Sequence, residues 1–218
     1  MTKLAPSLLA ANPLNLEEGI KNINEFADIL HLDIMDGHFV PNLALGILTC
    51  ESACKVSLVP AYAHLMVNNP GEYIEKFRNM GAKMFVWHVE LGLKHMEIIN
   101  LVKSSGMKPG LAIKSDTDCD ILKPFIDQIA IVTVMGVYPG FSGQKFIPST
   151  INRVAKVREL SETIEIEVDG GVGLENASAL VENGADILVS GSSFFNSKDK
   201  KTFSDQIRSL RRKPWQKN

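Results

Sequence analysis

The chain has 218 residues, 45% of them apolar and 22% charged, which is the balance of a soluble globular protein able to bury a full core without disulfide or metal staples. Its net charge of −2 gives no global field that would draw it to nucleic acid or a membrane. No apolar run approaches the roughly 20 residues that span a bilayer, and the opening MTKLAPSLLA is too short and too soon broken by proline for a secretory signal.

Strand-like and helix-like stretches alternate along the chain. KLAPSLLA (3–10) reads as a short apolar strand. NLEEGIKNINEF (15–26) has helical spacing, with Leu16, Ile20, Ile23 and Phe26 on one side. DILHLDIM is the second strand, and 43–58 an irregular link with one short helix. AYAHLMV (61–67) is the third strand. NPGEYIEKFRNMGA then offers Asn69 as a cap, Pro70 at a helix start and Gly81 at its close.

KMFVWHV is the fourth strand and LKHMEIINLVKSSG the following helix; KPGLAIK is the fifth strand and DCDILKPFID a short helix. QIAIVTVM, IEIEVDGG and DILVSG are the sixth, seventh and eighth strands. STINRVAKVRELS, ENASALVENGA and KTFSDQIRSLRR are the helices that follow them. The basic end RSLRRKPWQKN reads as a solvated helix end and tail.

Repeated βα units imply a parallel sheet. Eight of them with no linker between predict an α/β fold, a single (β/α)8 TIM barrel over 1–218. The competing architecture, an open doubly wound sheet, is favoured by a phosphate loop or G-x-G-x-x-G after the first strand, and neither is present. Cys50, Cys54 and Cys119 make an odd count with no signal peptide, so reduced thiols in a cytoplasmic protein are expected. Cys50 and Cys54 suit one helical face, but no second Cys or His pair follows at finger-like spacing, and free thiols are expected.

Barrel sites lie at the C-terminal strand ends, and strand side chains alternate between faces. In the second strand Leu30, Leu32 and Ile34 then face the helices, while His31, Asp33 and Met35 face inward. The third strand ends on His64 and Met66, the sixth on Met135 and the seventh on Asp169. A single inward histidine is ordinarily a hydrogen-bonded core residue. Two imidazoles and two carboxylates meeting at one mouth suit a divalent metal, with zinc, iron, manganese or cobalt all compatible. The methionines, taken singly, read as core filler. YPGFSGQKF (138–146), DGGV and SGSSFF follow the sixth, seventh and eighth strands. Glycines there let a backbone approach a ligand, and N–H groups of Gly143, Gly171, Gly191 and Ser192 could hold a phosphate.

APSLLA, HLDIMDGHFVPN, HLMV, WHVE, PGFSGQKFIP, EVDGGV and VSGSSFF, in this order over nearly the whole chain, resemble the ribulose-phosphate 3-epimerase family. The resemblance implies a metal-dependent barrel enzyme that inverts C3 of a ketose phosphate. It implies His31, Asp33, His64 and Asp169 as ligands of one divalent ion, zinc before iron, manganese or cobalt. It implies Asp33 and Asp169 as the acid–base pair, with Asp33 the base on D-ribulose 5-phosphate. Ser7 and His64 would contact substrate. Gly140, Phe141, Ser142 and Gly143, with Gly170, Gly171, Gly191 and Ser192, would hold the phosphate. Met35, Met66 and Met135 would pack around the reacting carbons. The implied partners are a small ketose phosphate and further copies of the chain, with no nucleic acid and no membrane.

Three positions depart from the family pattern. AIKSDT places Lys114 and Ser115 where an Asn-Pro pair is usual, Tyr138 replaces a common asparagine, and Tyr62 a common aspartate. All three are expected near the mouth. Lys114 is expected either to add a positive charge there or to extend to the rim. These departures keep a hexulose 6-phosphate such as D-allulose 6-phosphate, or another short ketose phosphate, open as the substrate. A decarboxylase of the orotidine-phosphate type needs a lysine between two strand-end aspartates, where DIMDG has Met35; a barrel that only binds would not need all four ligand candidates. His88 and Glu90 of WHVE have no expected role beyond packing or support behind the ligands. Asp36 and His38 read as structural.

Overall fold

The computed structural model describes residues 1–212. Its strands are β1 (Lys3–Pro6), β2 (Leu30–Asp36), β3 (Leu43–Ala44), β4 (Ala61–Met66), β5 (Met84–His88), β6 (Lys108–Ile113), β7 (Ile131–Met135), β8 (Glu165–Asp169) and β9 (Ile187–Ser190). Its α-helices are α1 (Leu16–Phe26), α2 (Ile47–Val56), α3 (Ile74–Asn79), α4 (His95–Ser104), α5 (Thr150–Leu160), α6 (Leu174–Glu182), α7 (Ser192–Phe195) and α8 (Lys200–Ser209). The sheet runs β1-β9-β8-β7-β6-β5-β4-β2-β3 and is parallel except for β3, which hairpins back on β2. The third to eighth strands expected from sequence are thus β4 to β9. Between β1 and β2 the ring closes through a parallel bridge of Ser7 with His31 and a hydrogen bond from Asp28 N–H to Leu4 C=O at 2.9 Å.

Strand alternation sorts the core into two compartments. Leu30, Leu32 and Ile34 of β2 join Leu65, Phe85, Trp87 and the inner faces of the helices. Ala5, Tyr62, Val86, Ala112, Ile131 and Val189 fill the barrel itself. Tyr62 therefore lies in the barrel floor, 8% exposed, and not at the mouth as expected. It precedes His64 by two residues on the same face of β4, and strand alternation places it one layer below.

Some local expectations shift. KLAPSLLA is a strand only to Pro6 and then turns into a 3-10 segment, Leu8–Ala10. Asn69 makes no side-chain cap; the chain enters α3 through a 3-10 turn, Pro70–Tyr73. DCDILKPFID holds one 3-10 turn, Cys119–Leu122, capped by Asp118. The basic end is exposed or half-exposed as far as it is described, and two of its arginines are paired: Arg208 with Asp28 at 3.0 Å and Arg212 with Asp186 at 3.2 Å. The rest of that tail, 213–218, lies outside the described residues. All three cysteines are free. No helix among the described residues is long and apolar enough to cross a membrane.

Beneath the barrel, the buried guanidinium of Arg158 joins α5 to the β8–β9 crossover. Nη1 donates to the carbonyls of Ser161, Glu162 and Ile164, and Nη2 to Gly184 C=O and Asp186 Oδ2 at 2.7 and 2.6 Å.

Candidate active site

β2 and β4 run in register, pairing Asp33 with His64 and Met35 with Met66. β7 and β8 pair Met135 with Asp169. Parallel register at a common depth is what brings residues distant in sequence to one level of the mouth. His31 Nδ1 lies 3.2 Å from Asp33 Oδ2, and His64 Nδ1 lies 3.0 Å from Asp33 Oδ1 and 3.2 Å from Asp169 Oδ2. Ser7 Oγ donates to Asp33 Oδ2. Each of His31, Asp33, His64 and Asp169 offers one donor atom within 4.8 Å of the others, and all four are buried.

The electrostatics call for positive charge at this point. Burial alone would lower the His64 imidazole, but Asp169 and Asp33 beside it raise it to about 9. His31 is likewise held well above its ordinary value against burial, by Asp33 and Glu167. Burial would raise Asp33, yet His31 and His64 hold it well below the usual carboxylate range. Asp169 is raised, by burial and by the neighbouring Asp33 charge. Two imidazoles and two carboxylates converging in a buried pocket fit a divalent transition metal, whose charge would offset the pair of carboxylates.

Above this cluster lies a cavity of about 570 Å³, counted out to its open mouth. Asp33, Asp169, Ser7, Met35, Met66 and Met135 line it, as do Gly140, Phe141, Ser142, Gly143, Gly170, Gly171, Gly191 and Ser192. His31 and His64 are buried and do not line it, while Asp33 and Asp169 do.

The glycine loops are held by local bonds. Gln144 Nε2 donates to the carbonyls of Tyr138 and Phe141 at 2.6 and 2.9 Å, and Asn42 Nδ2 to Gly140 C=O at 2.7 Å. Gly171 has φ +67, and a Cβ there would lie 2.8 Å from Phe146 Cα, so only glycine lets β8 turn beneath this loop. Asp36 closes the turn after β2 by accepting from the N–H groups of His38, Phe39 and Asn68, a structural role as expected.

Lys114 does not line the cavity; its Nζ sits 4.2 Å from the Phe39 ring centroid. Tyr138 is exposed at the rim and does not line it either. Glu167 joins the site without having stood out in the sequence. It is buried on β8, its Oε1 accepts from Thr133 Oγ1 at 2.8 Å and faces His31 Nε2 at 3.4 Å. The signal was available, since Glu167 precedes Asp169 by two residues on one strand face.

An α/β barrel with a buried two-histidine, two-aspartate centre under a glycine-lined cavity defines the class of the protein. Residues 3–195 match the Ribulose-phosphate 3 epimerase family. The ribulose-phosphate 3-epimerase of Helicobacter pylori is 37% identical over 213 residues, covering 96% of this chain and 98% of its own. That of Bacillus subtilis is 37% identical over 214 residues, covering 95% and 99%. The chain belongs to the ribulose-phosphate 3-epimerase family, and it is an enzyme of the isomerase class. Among solved structures, a mutant tryptophan synthase alpha-subunit from Pyrococcus furiosus aligns with a TM-score of 0.72 at 17% identity, covering 96% of this chain and 100% of that one. KGPDC from Streptococcus mutans aligns with a TM-score of 0.70 at 12% identity, covering 96% of each. At such identities these two speak for the barrel alone.

Proposed function

We propose that the chain is a metal-dependent 3-epimerase that interconverts D-ribulose 5-phosphate and D-xylulose 5-phosphate. The observation that carries this is the shared position of Asp33 and Asp169. Both line the cavity that the glycine loops also line, and both converge on His64 Nδ1. A ketose phosphate seated with its phosphate on the loop N–H groups presents its C2–C3 end to the two carboxylates. Asp33, in its ionised form, takes the C3 proton on one face, and Asp169 returns a proton on the other; the roles exchange in the reverse reaction. Ser7 orients Asp33 through its hydroxyl. Met35, Met66 and Met135 keep water from the planar enediolate with polarisable, adaptable side chains.

His31, Asp33, His64 and Asp169 would hold the divalent ion, zinc by preference of the donor set, with iron, manganese and cobalt as alternatives. Bound there, it supplies Lewis-acid stabilisation of the charge that develops on the substrate oxygens. The pentulose is preferred over a hexulose because neither Lys114 nor Tyr138 enters the cavity. The relatives' names support the same choice, and the rice relative named a cytoplasmic isoform supports a cytoplasmic location.

The test is a panel of four- to six-carbon ketose phosphates in deuterated water, scored for product and for deuterium at C3. Ribulose 5-phosphate should turn over fastest and gain deuterium at C3. A six-carbon substrate turning over faster would displace the pentulose, and turnover without exchange would remove the two-base scheme.

A further inference from the structure

Behind His64 the structure carries a chain of contacts that the reaction scheme does not use. His64 Nε2 faces His88 Nε2 at 3.1 Å, and His88 Nδ1 faces Glu90 Oε2 at 3.2 Å. The other Glu90 oxygen accepts from Lys114 N–H at 2.6 Å and from Thr117 Oγ1 at 2.5 Å. The His64 and His88 rings stack at 5.1 Å and 29°, and Phe39 covers His88 at 4.7 Å. Lys114 Nζ lies over Phe39 in turn. Both histidines are buried, so their ring nitrogens must be satisfied within the protein.

We propose that His88 and Glu90 form a positioning relay that fixes the proton of His64 on Nε2 and leaves the Nδ1 lone pair for the cation. This rests on the metal-ligand reading given above. The argument is one of donors and acceptors. An ionised carboxylate only accepts, so Glu90 keeps the His88 proton on Nδ1. Two nitrogens 3.1 Å apart share one proton: two N–H groups would clash, and two lone pairs would leave both buried atoms unsatisfied. With its proton on Nδ1, neutral His88 accepts at Nε2, and His64 must donate. When a cation displaces its second proton, the His64 ring is neutral and keeps one proton, on Nε2; the nitrogen left free is Nδ1, which faces Asp33 and Asp169.

His31 is handled in one step, with Nε2 against the buried Glu167 and Nδ1 toward the site. Each imidazole thus ends on a carboxylate outside the ligand set, one directly and one through a second ring. The departure AIKSDT also finds a use. The Lys114 main chain and Thr117 clamp Glu90, while the Lys114 side chain covers the Phe39 that shields the relay.

The experiment uses metal-free wild type, His88→Phe, Glu90→Leu and Glu90→Gln chains. Zn2+ affinity is read by competition with a chromogenic chelator, alongside the thermal midpoint of each metal-free chain. His88→Phe keeps a ring on Phe39 but offers no acceptor, and should bind Zn2+ about 10- to 100-fold more weakly. Glu90→Leu should show a similar loss. Glu90→Gln, whose amide oxygen still accepts from His88 Nδ1–H, should recover most of the affinity. In the Co2+-loaded wild type, the His64 Nε2–H should appear as a slowly exchanging, paramagnetically shifted resonance that His88→Phe loses.

Wild-type Zn2+ affinity in both His88→Phe and Glu90→Leu would overturn the relay, and so would a Co2+-loaded chain in which the His64 proton sits on Nδ1. If His88→Phe lowers the metal-free midpoint, the Glu90 pair decides: recovery by Gln relative to Leu supports the relay, and equal loss overturns it. A wild type that takes up neither Zn2+ nor Co2+ defeats the metal reading itself, a result distinct from normal uptake that is indifferent to His88 and Glu90.

Discussion

The Asp33 and Asp169 carboxylates come from strands on different sides of the barrel and meet at one atom, His64 Nδ1, at 3.0 and 3.2 Å. Their environments separate them. Asp33 is held low by two imidazoles, and Asp169 is raised by burial and by Asp33. Opposite shifts in two neighbouring carboxyls are the direction that the proposed two-base epimerisation would use.

Asp33→Asn and Asp169→Asn should each lower kcat by about 10²- to 10⁴-fold, the usual worth of a positioned acid or base. Each should also stop exchange of the C3 hydrogen with solvent, read by NMR in deuterated water. Normal turnover in either variant would refute the pairing.

Chelation should empty the site and remove activity, and stoichiometric Zn2+ should restore it. A sample proven metal-free by elemental analysis yet fully active would contradict the role given to the four ligands. Metal uptake should release protons, because imidazole and carboxylate bind a cation in their deprotonated forms.

Glu90 makes a pH prediction for the metal-free chain. Burial would raise its carboxyl, but His88, Thr117 and the Lys114 N–H bring it from 4.5 down to about 2. A depressed folded-state value means the contribution is fully present above pH 4.5 and is lost as pH falls through about 2. The stability advantage of wild type over Glu90→Gln, from urea unfolding, should therefore be level above pH 4.5 and shrink toward pH 2. An advantage independent of pH would show that the Glu90 charge contributes nothing.

Gly171→Ala forces a Cβ to 2.8 Å from Phe146 Cα at a φ of +67. The loop proposed to offer N–H groups to phosphate should shift, raising KM about tenfold or more, since 1.4 kcal/mol is tenfold in affinity. An unchanged KM would place the phosphate elsewhere.

Arg158→Ala removes a buried guanidinium that holds four carbonyls and Asp186. Loss of a buried, multiply bonded charge should cost about 3–5 kcal/mol in unfolding free energy. A loss below about 1 kcal/mol would mean that the crossover holds itself.

Much of this protein was legible before its fold. The βα alternation specified a barrel because helix and strand periods are local properties of the chain. The inward set His31, Asp33 and Met35 followed from strand alternation alone. Other features were not legible. Tyr62 lies on the same strand face as His64, and only the depth of each strand in the ring tells floor from mouth. The Lys114 side chain was free in sequence to enter the cavity or leave it, and Phe39, 75 residues away, drew it over a ring. His88 and Glu90 looked like packing because their partners, His64 and Thr117, belong to other segments of the chain.

Residue type, period and order were enough for the architecture, the four ligand candidates and the glycine loops. Depth and pairing came only with the folded barrel. The assembled ring set which inward residues reach the cavity, which nitrogen of each imidazole faces the carboxylates, and which carboxylate stands behind each ring. Those are properties of register between strands far apart in the chain, where a shift of one residue would turn every side chain to the opposite face.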